Sequence, residues 1–242
     1  DPGYPCNRHM VSMYGGVPVN LPVTPENEYA LLPDQLADGL RDGATALMLA
    51  SPANPTGNLI DLDAMEVLNT RLRQLSDAVL ICDEIYQGLQ YGSAPCTALS
   101  LGADNLVVIN SFSKFFGMTG WRLGYGVMPA KLAEAVAKLQ TNCTSCTASF
   151  TQIAGAEALT GPQDAARAMV AEFKVRRDLL VDGVARANGL EAFSIFEVTP
   201  LAIILIAVFS RQLKRIGKQN QIKMANIFSL LHESITGSKI VK

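Results

Sequence analysis

Three apolar, β-rich runs punctuate the first half of the chain, and each of them ends in polar residues. They are Ala44–Ala50 before Ser51 and Asn54, Ala78–Cys82 before Asp83, and Leu106–Ile109 before Ser111. Near-continuous apolar runs of this length are typical of strands that are buried on both faces, as in a parallel sheet covered by helices. The runs therefore predict a layered α/β domain.

The segments between and after these runs have the apolar spacing of amphipathic helices. Apolar residues recur every three or four positions in Leu31–Arg41 and in Leu62–Leu75. We predict two later helices, Lys131–Gln140 and Ala165–Ala187, and one further strand, Trp121–Met128. Strands that alternate with helices favour parallel pairing.

Polar side chains just past the carboxyl ends of parallel strands line the ligand crevice of such sheets. Asn54, Asp83 and Ser111 all follow predicted strands in this way. We therefore expect these three side chains to belong to one shared site.

The motif Ser111-Phe-Ser-Lys-Phe-Phe-Gly-Met-Thr-Gly-Trp121, followed by Arg122, indicates the chemistry of that site. It sets Lys114 between small hydroxyl residues and a glycine-rich turn. Such a lysine suits a Schiff base with pyridoxal phosphate, while the Ser111 and Ser113 hydroxyls and the Arg122 guanidinium hold the phosphate. The alternative is an ordinary surface lysine, which this setting disfavours.

Three further residues suit the ring of the same cofactor. Asp83, as a carboxylate at the end of a buried strand, needs a cation, and a protonated pyridine nitrogen is one. The Tyr86 phenol and the Asn54 amide, the latter held in the turn Pro52-Ala-Asn-Pro55, are placed to bond the ring oxygen. Taken singly, these residues are equally compatible with a structural aspartate, a core tyrosine and a plain turn.

Residues 1 to about 194 resemble the class I/II aminotransferases, which are fold type I pyridoxal-phosphate enzymes. The matching segments are Asp1-Pro-Gly-Tyr-Pro5, Ser51–Gly57, Asp83-Glu-Ile-Tyr86, Ser111–Lys114 and Trp121-Arg-Leu-Gly-Tyr125. The resemblance implies a three-layer sandwich with a mainly parallel sheet. It also implies a homodimer that exchanges an amino group between an amino acid and a 2-oxo acid.

The resemblance also assigns a role to each site residue. Lys114 becomes the internal aldimine lysine and proton shuttle, and Asp83 pairs with the pyridine nitrogen. Asn54 and Tyr86 hold the ring oxygen, and Ser111 and Arg122 hold the phosphate. A lyase of the same fold shares this lysine, aspartate and arginine set, so elimination stays open as an alternative to amino transfer.

The pattern of the family is matched only in part, which predicts a division of the chain. We expect most of a cofactor-binding large domain in residues 1–160, the start of a small domain in 161–194, and an unrelated helical tail in 195–242. The chain begins without Met, like the interior of a longer protein. We expect a phosphate-binding turn, a ring that stacks on the cofactor and a substrate-binding arginine to lie outside it, so that activity is weak or absent.

The predicted tail differs from the rest in charge and in pattern. Acidic residues outnumber basic ones before residue 195, and basic residues outnumber acidic ones after it. Pro200–Phe209 and the basic stretch that follows resemble the membrane domain of an ABC exporter, although the apolar run is too short to span a bilayer. An amphipathic helical tail is the alternative. A non-catalytic fragment that contacts a membrane through this tail is therefore a third functional hypothesis.

The cysteines point to no other class of function. Five cysteines without a signal peptide favour reduced thiols in the cytoplasm. Cys143 and Cys146 form a C-x-x-C pair that lacks a second pair at metal-ligand spacing. We therefore expect no metal site, and we expect no nucleic-acid partner.

Overall fold

The three apolar runs form the parallel part of a four-stranded sheet in the computed structural model, which describes residues 1–40 and 43–186. The strands are β1 (Ala46–Ala50), β2 (Val79–Asp83), β3 (Leu106–Ser111) and β4 (Gly124–Val127), in the spatial order β1-β2-β3-β4. The pairs β1/β2 and β2/β3 are parallel, and β3/β4 is antiparallel. The predicted α/β class with a mainly parallel sheet is therefore confirmed.

The described helices include the four that were predicted, of which α2 begins four residues later than predicted, and two that were not. They are α1 (Pro5–Met13), α2 (Gln35–Leu40), α3 (Leu62–Leu75), α4 (Ala130–Thr144), α5 (Ser149–Thr160) and α6 (Asp164–Arg186). The bounds of α3 are those predicted, and Asp61 caps its first turn by accepting a hydrogen bond from the Ala64 amide at 2.7 Å. Helices α1 and α5 were not predicted.

One face of the sheet and the helices α2 and α3 enclose the hydrophobic core. Alternate side chains of the three parallel strands point to this face, because successive residues of a strand face opposite sides. They meet Leu36 from α2 and three side chains from α3. The buried set is Leu36, Leu47, Leu49, Met65, Leu68, Leu72, Leu80, Cys82, Leu106 and Val108.

The opposite face of the sheet is only partly covered. Val107 is buried there, but Met48 is 40% exposed and Ile109 is 41% exposed. The prediction that the strands are buried on both faces is therefore wrong at these two positions. The physical reason is that the described helices which bury the core, α2 and α3, both pack on the other face.

The predicted tail cannot be compared with this structure. Residues 41–42 and 187–242 lie outside the described residues, so the division at residue 194 and the exporter-like tail stay predictions. Among the helices that the structure does describe, none combines the length and the apolar content needed to cross a bilayer.

Replacing a fully buried leucine of α3 tests this packing. Leu72 is 0% exposed, whereas Leu75 on the same helix is 37% exposed. We expect Leu72→Ala to lower the free energy of unfolding by about 3 kcal/mol, because it leaves a cavity in the core. Leu75→Ala is the matched control and should cost less than about 1 kcal/mol. Urea denaturation followed by far-ultraviolet circular dichroism measures both, and equal losses would contradict this core.

Candidate functional site

The carboxyl ends of the parallel strands meet at one edge of the sheet, and backbone hydrogen bonds continue the pairing beyond the strands. The Ser51 amide donates to the Asp83 carbonyl at 3.1 Å, and the Glu84 amide donates to the Ile109 carbonyl at 2.8 Å. The turn after β1, the turn after β2 and the loop after β3 are thereby held side by side. The residues predicted to share one site are attached to these three segments.

Asn54 and Tyr86 are in direct contact. The Asn54 side-chain amide donates to the Tyr86 hydroxyl at 3.3 Å. A tight turn holds Asn54, since the Ala53 amide donates to the Asn58 carbonyl at 3.0 Å and the Gly57 amide donates to the Ala53 carbonyl at 2.9 Å. Two neutral hydrogen-bonding groups therefore converge on one point above the strand ends.

Lys114 lies beside the ring of Tyr86. Its Nζ is 5.4 Å from the centroid of the Tyr86 ring, which places the cation over the ring face. The loop turns back after the lysine, with the Gly117 amide donating to the Lys114 carbonyl at 3.0 Å. Gly117 has φ +64°, a conformation that favours glycine. Tyr86 thus touches both the ring-oxygen candidate Asn54 and the candidate nucleophile.

Asp83 is a half-buried carboxyl at the end of β2. Its Oδ1 accepts one hydrogen bond, from the Ile85 amide at 3.1 Å. Burial raises the pKa of Asp83 above its ordinary value, and the Ile85 amide offsets only part of that effect. Within residues 1–40 and 43–186 no cationic side chain forms an ion pair with Asp83. A ligand cation would therefore find an acidic partner at this position.

The three candidate phosphate-binding residues are brought together only in part. Ser111 Oγ lies 3.0 Å from Ser113 Oγ, and it donates to the Leu123 carbonyl at 3.0 Å. The exposed Arg122 guanidinium donates instead to the Thr119 carbonyl at 3.0 Å. Among the described contacts none joins Arg122 to either serine. Its neighbour in the chain, Leu123, accepts the hydrogen bond from Ser111. A cleft of about 740 Å³ opens beside the arginine.

Sequence reasoning missed two residues of this neighbourhood. Tyr4 is close enough to Asp83 and Tyr86 to interact with them electrostatically. Its pKa is raised, first by a hydrogen bond with Cys6 and to a smaller extent by those two groups. A stacking ring was expected only outside the chain, yet Tyr4 belongs to the matching segment Asp1-Pro-Gly-Tyr-Pro5 and is a candidate for that role.

The second missed residue is Glu84, which is only 2% exposed. Its Oε1 accepts from the Ala98 amide at 2.7 Å and from the Thr97 hydroxyl at 3.2 Å. Burial raises its pKa, and the neighbouring Asp83 adds to the effect. The sequence signal that could have identified Glu84 is its position as an acidic residue directly after a predicted buried strand.

Comparison with known proteins decides the family. The model of the family "Aminotransferase class I and II" matches residues 1–230. The chain belongs to the class I and II aminotransferase family. The match extends past residue 194 into the segment that the sequence analysis assigned to an unrelated tail.

Individual aminotransferases match about three quarters of this chain. The valine–pyruvate aminotransferase of Mycobacterium tuberculosis is 39% identical over 188 residues, which are 76% of this chain and 48% of that protein. A solved aminotransferase structure from the same organism covers 77% of this chain and 51% of its own, with a TM-score of 0.70 and 39% identity. The structure of the aspartate aminotransferase of Thermus thermophilus with maleate covers 76% and 49%, with a TM-score of 0.71 and 31% identity.

The chain spans about half the length of the curated relatives it matches. Residues 1–230, which the family model matches, contain the sheet and all of the candidate site residues. The fold predicted from the resemblance, an incomplete large domain of this family, is thereby confirmed.

The raised pKa of Asp83 predicts a pH-dependent stability in the absence of any ligand. A carboxyl whose pKa is higher in the folded chain favours folding most at pH values below its unfolded pKa, about 3.9 for aspartate. This contribution is lost as the pH rises through the folded pKa. We therefore expect Asp83→Asn to raise the urea midpoint at pH 7 and to leave it unchanged near pH 3.

The exposed Asp77 offers the matched control, since Asp77→Asn removes the same charge without relieving burial. Glu84 remains in both variants, so some pH dependence should persist in each. A urea midpoint at pH 7 that falls on Asp83→Asn would show that the ionised carboxyl stabilises the fold, contrary to this account.

Proposed function

We propose that this chain supplies the cofactor-binding part of a pyridoxal-phosphate-dependent aminotransferase, which exchanges an amino group between an amino acid and a 2-oxo acid. The observation that carries the proposal is the convergence of Asp83, Tyr86, Lys114 and Asn54 on one sheet edge in a member of this family. The named relatives act in amino transfer on substrates as different as valine and aspartate.

The residues present fit the cofactor. Asp83 has a half-buried carboxyl without an ion-pair partner among the described residues, and a ring nitrogen carrying a proton would supply one. The Asn54 amide and the Tyr86 hydroxyl lie 3.3 Å apart and would hold one ring oxygen between them. The Ser111 and Ser113 hydroxyls, with Arg122 from the edge of the cleft, would hold the phosphate. Lys114 would attach the group covalently.

The bound cofactor would supply an electron sink for bonds at the amino-acid α-carbon. The residues of the chain would keep that sink active and move protons around it. Asp83 would hold a proton on the ring nitrogen, because its carboxylate stabilises the charged form. Lys114 Nζ, next to the Tyr86 ring, is the group placed to take up and return a proton at the substrate.

Other parts of the expected enzyme stay predictions. A homodimer is supported by the apolar surface of α5, where Phe150 is 68% exposed and Ile153 is 72% exposed. Membrane contact was assigned to residues 195–242, which lie outside the described residues. The cytoplasmic location and the weak activity expected from the partial match also await measurement.

Cofactor attachment tests the proposal directly. We expect the purified chain, mixed with pyridoxal phosphate, to develop a visible absorbance band at roughly 410–430 nm. Lys114→Ala should abolish the band, because no amine remains at the site. Lys138→Ala, which removes an exposed lysine of α4, is the control and should keep the band. A band that survives Lys114→Ala but not Lys138→Ala would refute the site.

Product analysis tests the reaction class. The loaded chain, mixed with an amino acid and a 2-oxo acid acceptor, should convert the amino acid to its 2-oxo acid without ammonia, because the amino group passes to the acceptor. We expect a rate well below the about 10 s⁻¹ of a median enzyme, because the chain spans about half the length of its relatives. Ammonia together with an alkene- or thiol-derived product would instead identify elimination, the reaction of the lyase alternative.

A further inference from the structure

Two segments carry the central residues of the site, and they are docked against each other. We call residues 84–88 the Tyr86 turn and residues 111–117 the lysine loop. The docking begins at the backbone, where the Glu84 amide donates to the carbonyl of Ile109 at 2.8 Å, two residues before the lysine loop. This bond fixes only the start of the turn, so the placement of Tyr86 needs further contacts.

The second contact is a bridge between two side-chain amides. Asn110 Nδ2 donates to Gln87 Oε1 at 3.2 Å. Each amide is also held at its other end: Gln87 Nε2 donates to the Cys96 carbonyl at 2.8 Å, and Asn110 Oδ1 accepts from the Ser111 amide at 2.7 Å. Asn110 is only 9% exposed, so its hydrogen bonds are largely shielded from water.

The third contact is the close approach of Phe115 to Gly88. A Cβ added to Gly88 would lie 2.7 Å from Phe115 Cδ2, and Gly88 has φ +89°. The phenyl ring therefore lies directly against the backbone of the Tyr86 turn. Gly88 is two residues after Tyr86, and Phe115 directly follows Lys114, so this contact also links the two central residues.

We propose that Gln87 is a positioning residue for cofactor binding. Its bridge to Asn110 fixes the Tyr86 turn against the lysine loop, so that the Tyr86 hydroxyl and Lys114 Nζ face the same bound ring. Gln87 itself touches neither Tyr86 nor Lys114 through any described hydrogen bond and acts through the backbone on either side of it. The inference rests on the proposed function, because it assigns Gln87 a part in holding pyridoxal phosphate.

The chain offers a matched control at the opposite end of β3. There Asn105 Nδ2 donates to Asn69 Oδ1 at 3.0 Å, which is also a bridge between two amides, and Asn69 is 6% exposed. Asn105 precedes β3 and Asn110 lies near its end. At about 3.3 Å per residue the two bridges are roughly 17 Å apart. Breaking the control bridge should cost stability without moving the cofactor site.

The experiment compares Gln87→Met with Asn69→Leu in the full chain. Each change replaces an amide by an apolar side chain of similar size. Cofactor affinity is measured by quenching of the fluorescence of Trp121, the chain's single tryptophan, which lines the cleft beside Arg122. We expect Gln87→Met to raise the dissociation constant of pyridoxal phosphate about fivefold, and Asn69→Leu to leave it unchanged.

A pH titration of the visible band separates positioning from general loss of stability. A hydrogen bond from Tyr86 to the ring oxygen favours the form in which that oxygen carries negative charge, so the bond lowers the pH midpoint of the band. Gln87→Met should therefore move the midpoint to higher pH, whereas Asn69→Leu should not. The titration is a property of bound cofactor and requires no turnover.

Gln87→Asn provides a milder variant if Gln87→Met fails to fold. It keeps the amide but withdraws it by about one carbon–carbon bond of 1.5 Å, which breaks a bridge of 3.2 Å.

A raised midpoint in either variant supports the proposal. An unshifted midpoint in a folded Gln87 variant overturns it while leaving the proposed function intact. Wild-type chain without a Lys114-dependent band overturns the proposed function, and the inference with it.

Discussion

The register of the three parallel strands is the constraint on which the site depends. Pairing of Ala50 with Asp83 brings the ends of β1 and β2 to one level, and pairing of Asp83 with Ile109 leaves β3 to extend two residues further, to Ser111. The core around α3 stabilises this register on one face, since a slip of one residue would move every buried leucine to the other face. Strand pairing alone therefore brings together the segments that carry the site residues. These segments are distant in sequence, and contacts between their side chains are not needed to bring them close.

Two acidic groups at the end of β2, Asp83 and Glu84, are costly to bury as charged carboxylates, and Asp83 belongs to the proposed site. Asp83 and Glu84 are adjacent carboxyls with pKa values raised by burial, and the described residues give neither an ion pair. Glu84 is compensated by hydrogen bonds from Thr97 and Ala98. Asp83 has a single such bond and remains available to a ligand. Neighbouring residues of one type thus differ in their surroundings: the carboxyl of Glu84 is held by the fold, and that of Asp83 is open to the proposed cofactor.

The sequence predicted the features that leave a local pattern. Helix α3 has both the apolar spacing and the capping aspartate of a helix, and its bounds matched. Helix α5 has three alanines and only a few larger apolar residues, so its apolar pattern is weak and it was missed. The bridge between Gln87 and Asn110 joins residues 23 positions apart and has no periodicity to detect. The electrostatic interaction of Tyr4 with Asp83 likewise depends on tertiary structure alone.

The partly open face of the sheet links the folding of the chain to the environment of the site. Met48, Ile81 and Asp83 occupy that face in register, as do Ile109 and Ser111 further along it. The same surface therefore changes from hydrocarbon to polar chemistry along the strand direction. A layer that shielded Met48 and Ile109 from solvent would also lower the dielectric constant around the Asp83 carboxyl and strengthen its attraction for a cation. Covering the apolar residues of this face would therefore also strengthen the electrostatic attraction at the site.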